Sequence, residues 1–154
     1  MASTYVVERS TTIKAPAGTV YAEIADFHRW RQWSPWEELD PDLERTYSGS
    51  DSGTGAVYEW SGNRRAGQGR MEITNAADAE NVTISLNFIK PFKSSSTTTF
   101  RLTPDGESTH VTWTMTGPMT LMLRVFGIFK SMDKLIGPDF EKGLDRLKTV
   151  AERP

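Results

Sequence analysis

The segment MDKLIGPDFEKGLDRLKTVA, residues 132–151, decides the fold. Its apolar residues Met132, Ile136, Phe140, Leu144, Leu147 and Ala151 step by four, four, four, three and four, the period of one helix face. A helix with a single apolar stripe must bury it against another layer, so the rest of the chain has to supply that layer. Gly137-Pro138 interrupts the pattern, and a proline there removes one backbone hydrogen bond, which predicts a kink or a restart after Gly137. The preceding stretch Met119 to Phe129, MTLMLRVFGIF, is apolar on nearly every side and far too short to span a bilayer. It reads as a lid, a buried helical turn or an interaction surface.

The layer lies upstream. From Arg45 to Pro118 short β-like runs alternate with turn residues: Gly53-Thr54-Gly55, Gly62-Asn63, Asn75 to Asn81, Lys90-Pro91 and Pro104-Asp105-Gly106. Alternation is clearest in Val82, Ile84, Leu86, Phe88 and in Val111, Trp113, Met115, and it recurs in Tyr58, Trp60, in Met71, Ile73 and in Phe100, Leu102. The other face carries Thr83, Ser85, Asn87, Thr112, Thr114 and Thr116, so one side of an antiparallel sheet meets water and the other meets the helix. Ser94 to Thr99 reads as half of an exposed strand.

Before the meander, Thr4 to Lys14 reads as a strand that stops at Ala15-Pro16, where proline suits a helix start. Val20, Ile24, Phe27, Trp30 and Trp33 then follow at helical spacing, predicting one or two short helices to about Ser34 with a break near Asp26. Ser34-Pro35-Trp36-Glu37 has capping-box spacing, but Asp40-Pro41 limits it to a turn. A loop continues to about Leu43. The prediction is an α+β chain forming one domain over residues 1–154: a curved antiparallel sheet of about seven strands wrapped around a long C-terminal helix, with two short helices after the first strand.

Composition narrows the chemistry. The 154 residues are 37% hydrophobic and 25% charged, with 5 Trp, 7 Phe and 4 Tyr, which is too aromatic for a disordered chain. The 18 Lys and Arg nearly balance the 20 Asp and Glu, so no whole-protein field draws in a phosphate backbone, and no nucleic acid is expected as a partner. With no cysteine and two distant histidines, thiol chemistry and Cys-ligated metals drop out, and no cofactor or metal is expected. The start MASTYVVERSTTI lacks a basic segment followed by an apolar stretch, and no membrane span occurs, so a cytoplasmic location is expected.

Four segments sharpen the reading: Asp26-Phe27-His28-Arg29-Trp30-Arg31-Gln32-Trp33-Ser34-Pro35-Trp36, Gly53-Thr54-Gly55-Ala56-Val57-Tyr58-Glu59-Trp60, Thr109-His110-Val111-Thr112-Trp113 and Asp139-Phe140-Glu141-Lys142-Gly143-Leu144. With the order of elements, they resemble the polyketide cyclase/dehydrase-like branch of the START-related (SRPBCC) superfamily over nearly the whole chain. That resemblance implies a helix-grip fold and a deep, mostly apolar cavity between sheet and C-terminal helix. In the wider superfamily such cavities serve lipid carriers, hormone receptors and aromatic polyketide cyclases, among which fold alone does not choose.

The apolar faces of sheet and helix nominate Tyr58, Trp60, Met71, Phe88, Phe100, Trp113, Met115, Ile136 and Phe140 as ligand-binding residues, and Trp36, after the proline in the tryptophan cluster, joins them as a ligand contact. Tyr58, Trp60 and Trp113 would orient the ligand through a hydroxyl and two indole N–H groups, while Trp30 and Trp33 pin the short helices to the end of the sheet. The expected partner is a small hydrophobic molecule such as a lipid, polyketide or aromatic metabolite, bound by a monomer or weak homodimer. The rival readings are a cyclase or dehydratase acting in the same cavity, and an interaction module using Met119 to Phe129.

Candidates for acid–base work are few. Parity turns Glu59, Arg70 and Glu72 outward, neither His28 nor His110 has an obvious carboxylate partner, and the acidic run Glu37, Glu38, Asp40, Asp42, Glu44 reads as a solvated loop. Tyr58 is left as the catalytic candidate, with Asp133 or Asp139 as its partner if the proline kink turns one of them inward. Gly49-Ser50-Asp51-Ser52-Gly53 lacks the serine of a nucleophile elbow, and Gly53-Thr54-Gly55 lacks the third glycine of a dinucleotide loop.

Overall fold

The computed structural model describes residues 4–90, 93–118 and 132–153. Seven strands, β1 (Thr4–Ile13), β2 (Glu44–Gly49), β3 (Ala56–Ser61), β4 (Gln68–Ala77), β5 (Asn81–Lys90), β6 (Ser94–Asp105) and β7 (Ser108–Pro118), form one sheet in the order β1-β7-β6-β5-β4-β3-β2. Every neighbouring pair is antiparallel. The long helix α2 (Met132–Ala151) lies on the inner face of the curved sheet, its Phe140, Leu144, Leu147 and Ala151 buried there. This is the helix-grip architecture predicted from the order of elements. The segment Met119 to Phe129, Pro91, and the side chains of Met132 and Asp133 lie outside the described residues.

Between β1 and β2 stand helix α1 (Ala17–Ile24) and two 3-10 turns, Phe27–Gln32 and Pro35–Glu38. The break falls at Asp26, whose carboxylate accepts the backbone N–H of His28 at 2.9 Å and caps the first turn. Phe27, Trp30 and Trp33 continue in steps of three because a 3-10 turn repeats every three residues. Their rings therefore stack up one side, with centroids 5.5 Å and 4.6 Å apart. Trp30 and Trp33 are buried, their indole N–H groups donating to the Ile24 and Glu23 carbonyls, so they tie the turns to α1.

Three boundaries differ from the sequence reading. Asn75, predicted to open a turn, sits inside β4, where a register shift between Ile73 and Asn75 absorbs it, and the strand runs on to Ala77. Pro104-Asp105 likewise completes β6, and the turn follows at Gly106, whose φ of 63° is the left-handed backbone glycine tolerates. Pro138 does not restart the last helix: α2 is continuous from Met132 to Ala151. Ser94 to Thr99, read as half of an exposed strand, forms the first half of β6, where Ser95 and Thr97 are exposed but Thr98 is buried.

Candidate functional site

Strand register gathers the inner-face side chains into rows. Tyr58 pairs with Met71 and Met71 with Leu86, while Trp60 pairs with Gly69 and Gly69 with Phe88. The Trp60 ring occupies the space a side chain at Gly69 would fill, which explains a glycine in mid-strand. From the far side of the sheet β7 contributes Trp113 and Met115, and α2 closes the top with Ile136 and Phe140. These rows line a cavity of about 130 Å³, partly open to solvent, to which Trp36 and Leu43 also contribute.

Nine of the ten residues nominated from the sequence line this cavity; Phe100 does not. Phe100 is fully buried against Trp113, with ring centroids 4.7 Å apart, and belongs to the solid part of the core. Trp113 in turn stacks on Phe140 at 4.0 Å with the planes 8° apart, and the edges of Trp30, Trp33 and Trp36 abut it. This aromatic plug makes the cavity smaller than the 300 to 1,000 Å³ typical of ligand clefts. A dry cavity of roughly 150 Å³ holds one benzene ring, so the space found here takes about one ring, and a second ring would lie in its opening.

The polar groups are not disposed as the sequence suggested. Trp60 already donates its indole N–H to the Ala66 carbonyl at 2.9 Å, and Tyr58 donates its hydroxyl to Glu37 Oε2 at 3.1 Å. Neither donor is free to orient a ligand. Trp113 Nε1 is buried without a hydrogen-bond partner among the described residues, and the hydroxyl-bearing Ser34 and Thr98 also line the cavity.

Glu37 is the residue that sequence reasoning missed. Placed by the second 3-10 turn, it lines the cavity with its side chain 8% exposed, and Arg45 Nε donates to its Oε2 at 3.0 Å. The reading of residues 37–44 as a solvated acidic loop is thus corrected at Glu37, which is buried in an ion pair; Glu38 pairs with Arg146 at the surface, Asp40 accepts the backbone N–H of Asn63, and Asp42 and Glu44 are exposed. Asp139, the alternative partner for Tyr58, is not among the lining residues. The missed signal is Arg45 itself, which opposes Trp60 in the β2–β3 register and hence shares the apolar face, where a cation needs a carboxylate.

Burial raises the Tyr58 pKa, and the adjacent Glu37 carboxylate raises it further. Tyr47, beside Tyr58 at 5.3 Å, is raised by the same two causes in the same order. For Arg45 burial works against the charge, but the hydrogen bond and field of Glu37 outweigh it and its pKa is raised. The phenol is therefore held protonated.

Among the described residues, no titratable group other than Glu37 and Tyr58 lines the cavity. Glu59 is exposed on the outer face, and Arg70 pairs with Glu72 there at 3.0 Å, as parity required. His28 does have a carboxylate partner, contrary to the sequence reading: its Nδ1 lies 2.8 Å from Asp26 Oδ1. It stacks on Tyr47 and lines a separate hollow of about 100 Å³. His110 Nδ1 meets Thr12 Oγ1. Among the described residues no cluster of three or more His, Asp or Glu is arranged to hold a metal, and no helix is long and apolar enough to cross a membrane.

Comparison with known proteins agrees with this geometry. A family model described as "Polyketide cyclase / dehydrase and lipid transport" matches residues 4–152. Among solved structures, protein CV1439 from Chromobacterium violaceum superposes with a TM-score of 0.69 at 13% identity, over 97% of this chain and 98% of that one. Ara h 8.0201 gives 0.65 at 10% identity, over 97% and 98%. DynU16, from the dynemicin biosynthetic locus, gives 0.62 at 16% identity, over 96% of this chain and 47% of that one. At these identities the likeness concerns the fold alone. No curated protein matched by sequence.

Proposed function

Because this chain belongs to the polyketide cyclase/dehydrase and lipid-transport family, we propose that it binds a small, mainly apolar molecule in the cavity between sheet and C-terminal helix, acting in the cytoplasm as a monomer or weak homodimer. The observation that carries the reading is the void itself, about 130 Å³ walled by Trp36, Trp60, Met71, Phe88, Met115 and Ile136. An apolar space far larger than a water is costly to leave empty, and filling it gains roughly 25 cal/mol for each Å² of ligand surface removed from water. Its size favours a one- or two-ring aromatic metabolite over an extended lipid or polyketide chain. Calorimetric titration with indole, a neutral two-ring probe, tests this. Saturable one-to-one binding that disappears in the cavity-filling variant Leu86→Trp is expected, and binding unchanged in that variant would put the ligand elsewhere.

A second reading, a cyclase or dehydratase using the same cavity, is favoured by one observation: a carboxylate lies within hydrogen-bond distance of Tyr58 inside the cavity. General acid–base chemistry needs such a group in reach of the substrate. Two features weigh against it. The phenol is held protonated, and proton uptake at Glu37 Oε2 would disrupt its bond from Arg45. Binding therefore stands first.

A further inference from the structure

We infer, resting on the ligand-binding reading above, that the cavity selects an uncharged ligand of one or two rings bearing a hydroxyl group, and that this hydroxyl donates to Glu37 Oε1 beside Tyr58 Oη. The inference comes from counting donors and acceptors at the polar end. Glu37 Oε2 receives two hydrogen bonds, from Arg45 Nε at 3.0 Å and Tyr58 Oη at 3.1 Å. Among the described residues, Glu37 Oε1 receives only the long edge of the Tyr58 interaction, at 3.4 Å. An ionised carboxylate offers about four lone-pair sites and no donor, so Oε1 is under-satisfied in a side chain only 8% exposed.

Tyr58 has committed its single proton to Glu37, so its oxygen can only accept. The end of the cavity is consequently an acceptor site, which a ligand O–H completes and an ether or ketone oxygen does not. A ligand carboxylate would face Glu37 with no cationic side chain in the described lining to offset it. A ligand ammonium fares little better, because Arg45 already neutralises Glu37 and leaves no net charge to repay its desolvation. A neutral hydroxyl is the chemistry that fits.

The test is calorimetric titration of the intact protein with 2-naphthol, 2-methoxynaphthalene and 2-naphthoate. The first two share a ring system and an oxygen, and differ in the donor. Hydrogen bonds to charged groups lead us to expect 2-naphthol to bind about tenfold tighter or more than its methyl ether, and 2-naphthoate to bind more weakly than either. In Tyr58→Phe the ligand hydroxyl replaces the lost phenol as donor to Glu37, so the preference for 2-naphthol should widen. In Glu37→Gln the amide oxygen turns to Arg45 and its NH₂ faces the cavity, so the preference should collapse toward one. Should that variant fail to fold, Tyr58→Phe decides alone. Equal wild-type binding of 2-naphthol and its ether, or an unchanged or smaller preference in Tyr58→Phe, overturns the inference while leaving ligand binding intact. Failure of all three compounds to bind the wild type overturns the ligand-binding reading itself.

Discussion

Tyr58 Oη lies 3.1 Å from Glu37 Oε2, a contact between a strand and a 3-10 turn 21 residues apart in sequence. It joins the chain segment that caps the cavity to the sheet that walls it. The bond makes a polar link in a mainly apolar wall, and several consequences are measurable.

The first concerns alkaline pH. Burial and the Glu37 carboxylate raise the Tyr58 pKa above the value near 10 of an exposed phenol. In the native state the proton is held more tightly than in the unfolded chain. The resulting stabilisation is complete below about pH 10 and is lost as the pH rises through the folded pKa. Urea denaturation at about pH 8 and about pH 11 should show wild type losing more stability across that interval than Tyr58→Phe. Equal losses would mean the phenol titrates alike in both states.

Arg45 and Glu37 form a pair whose side chains are 17% and 8% exposed. Removing one partner of a buried pair strands the other, at about 3 to 5 kcal/mol. Arg45→Met should therefore be destabilised by about 3 kcal/mol, and the double variant Arg45→Met/Glu37→Met should recover most of that loss. Denaturation midpoints of the two singles and the double measure the coupling, and additive losses would refute it.

Gly143 lies in α2 where alanine would ordinarily stabilise a helix by about 1 kcal/mol. A Cβ there would sit 2.9 Å from Trp113 Cζ3 and 3.3 Å from Pro35 Cδ. Trp113 is wedged against Phe140 and cannot recede, so Gly143→Ala is expected to lower the thermal midpoint rather than raise it. A higher midpoint would show that the aromatic plug yields.

The grip of the sheet on α2 rests on Leu144 and Leu147, 2% and 0% exposed. Each Leu→Ala replacement should cost about 2 to 5 kcal/mol in chemical denaturation. Losses below about 0.5 kcal/mol would mean the helix is not held.

Much of this was readable in the sequence because it depends on period. Two-residue alternation in Val82 to Phe88 and Val111 to Met115, and the steps of four and three from Ile136 to Leu147, assign sheet face and helix stripe without knowledge of contacts. Period does not report depth along a strand. Phe100 and Met115 share the inner face, yet Phe100 falls under the aromatic plug and Met115 beside the void. Nor does composition report a long-range ion pair. Glu37 has acidic neighbours and a local capping pattern, and only the β2–β3 register, which sets Arg45 opposite Trp60, explains why that one carboxylate turns inward. Asn75 misled because a bulge accommodates a residue that elsewhere opens a turn.

The central claim is that a ligand occupies the cavity, and methionine methyl groups report on it directly. Met71 and Met115 line the void from two separate strands, β4 and β7. Titrating ¹³C-methyl-methionine-labelled protein with 2-naphthol should move the Met71 and Met115 resonances together along one saturable isotherm, and Leu86→Trp should abolish the shift. Resonances that stay fixed up to the solubility limit of 2-naphthol, or that move equally in the cavity-filled variant, would contradict the account.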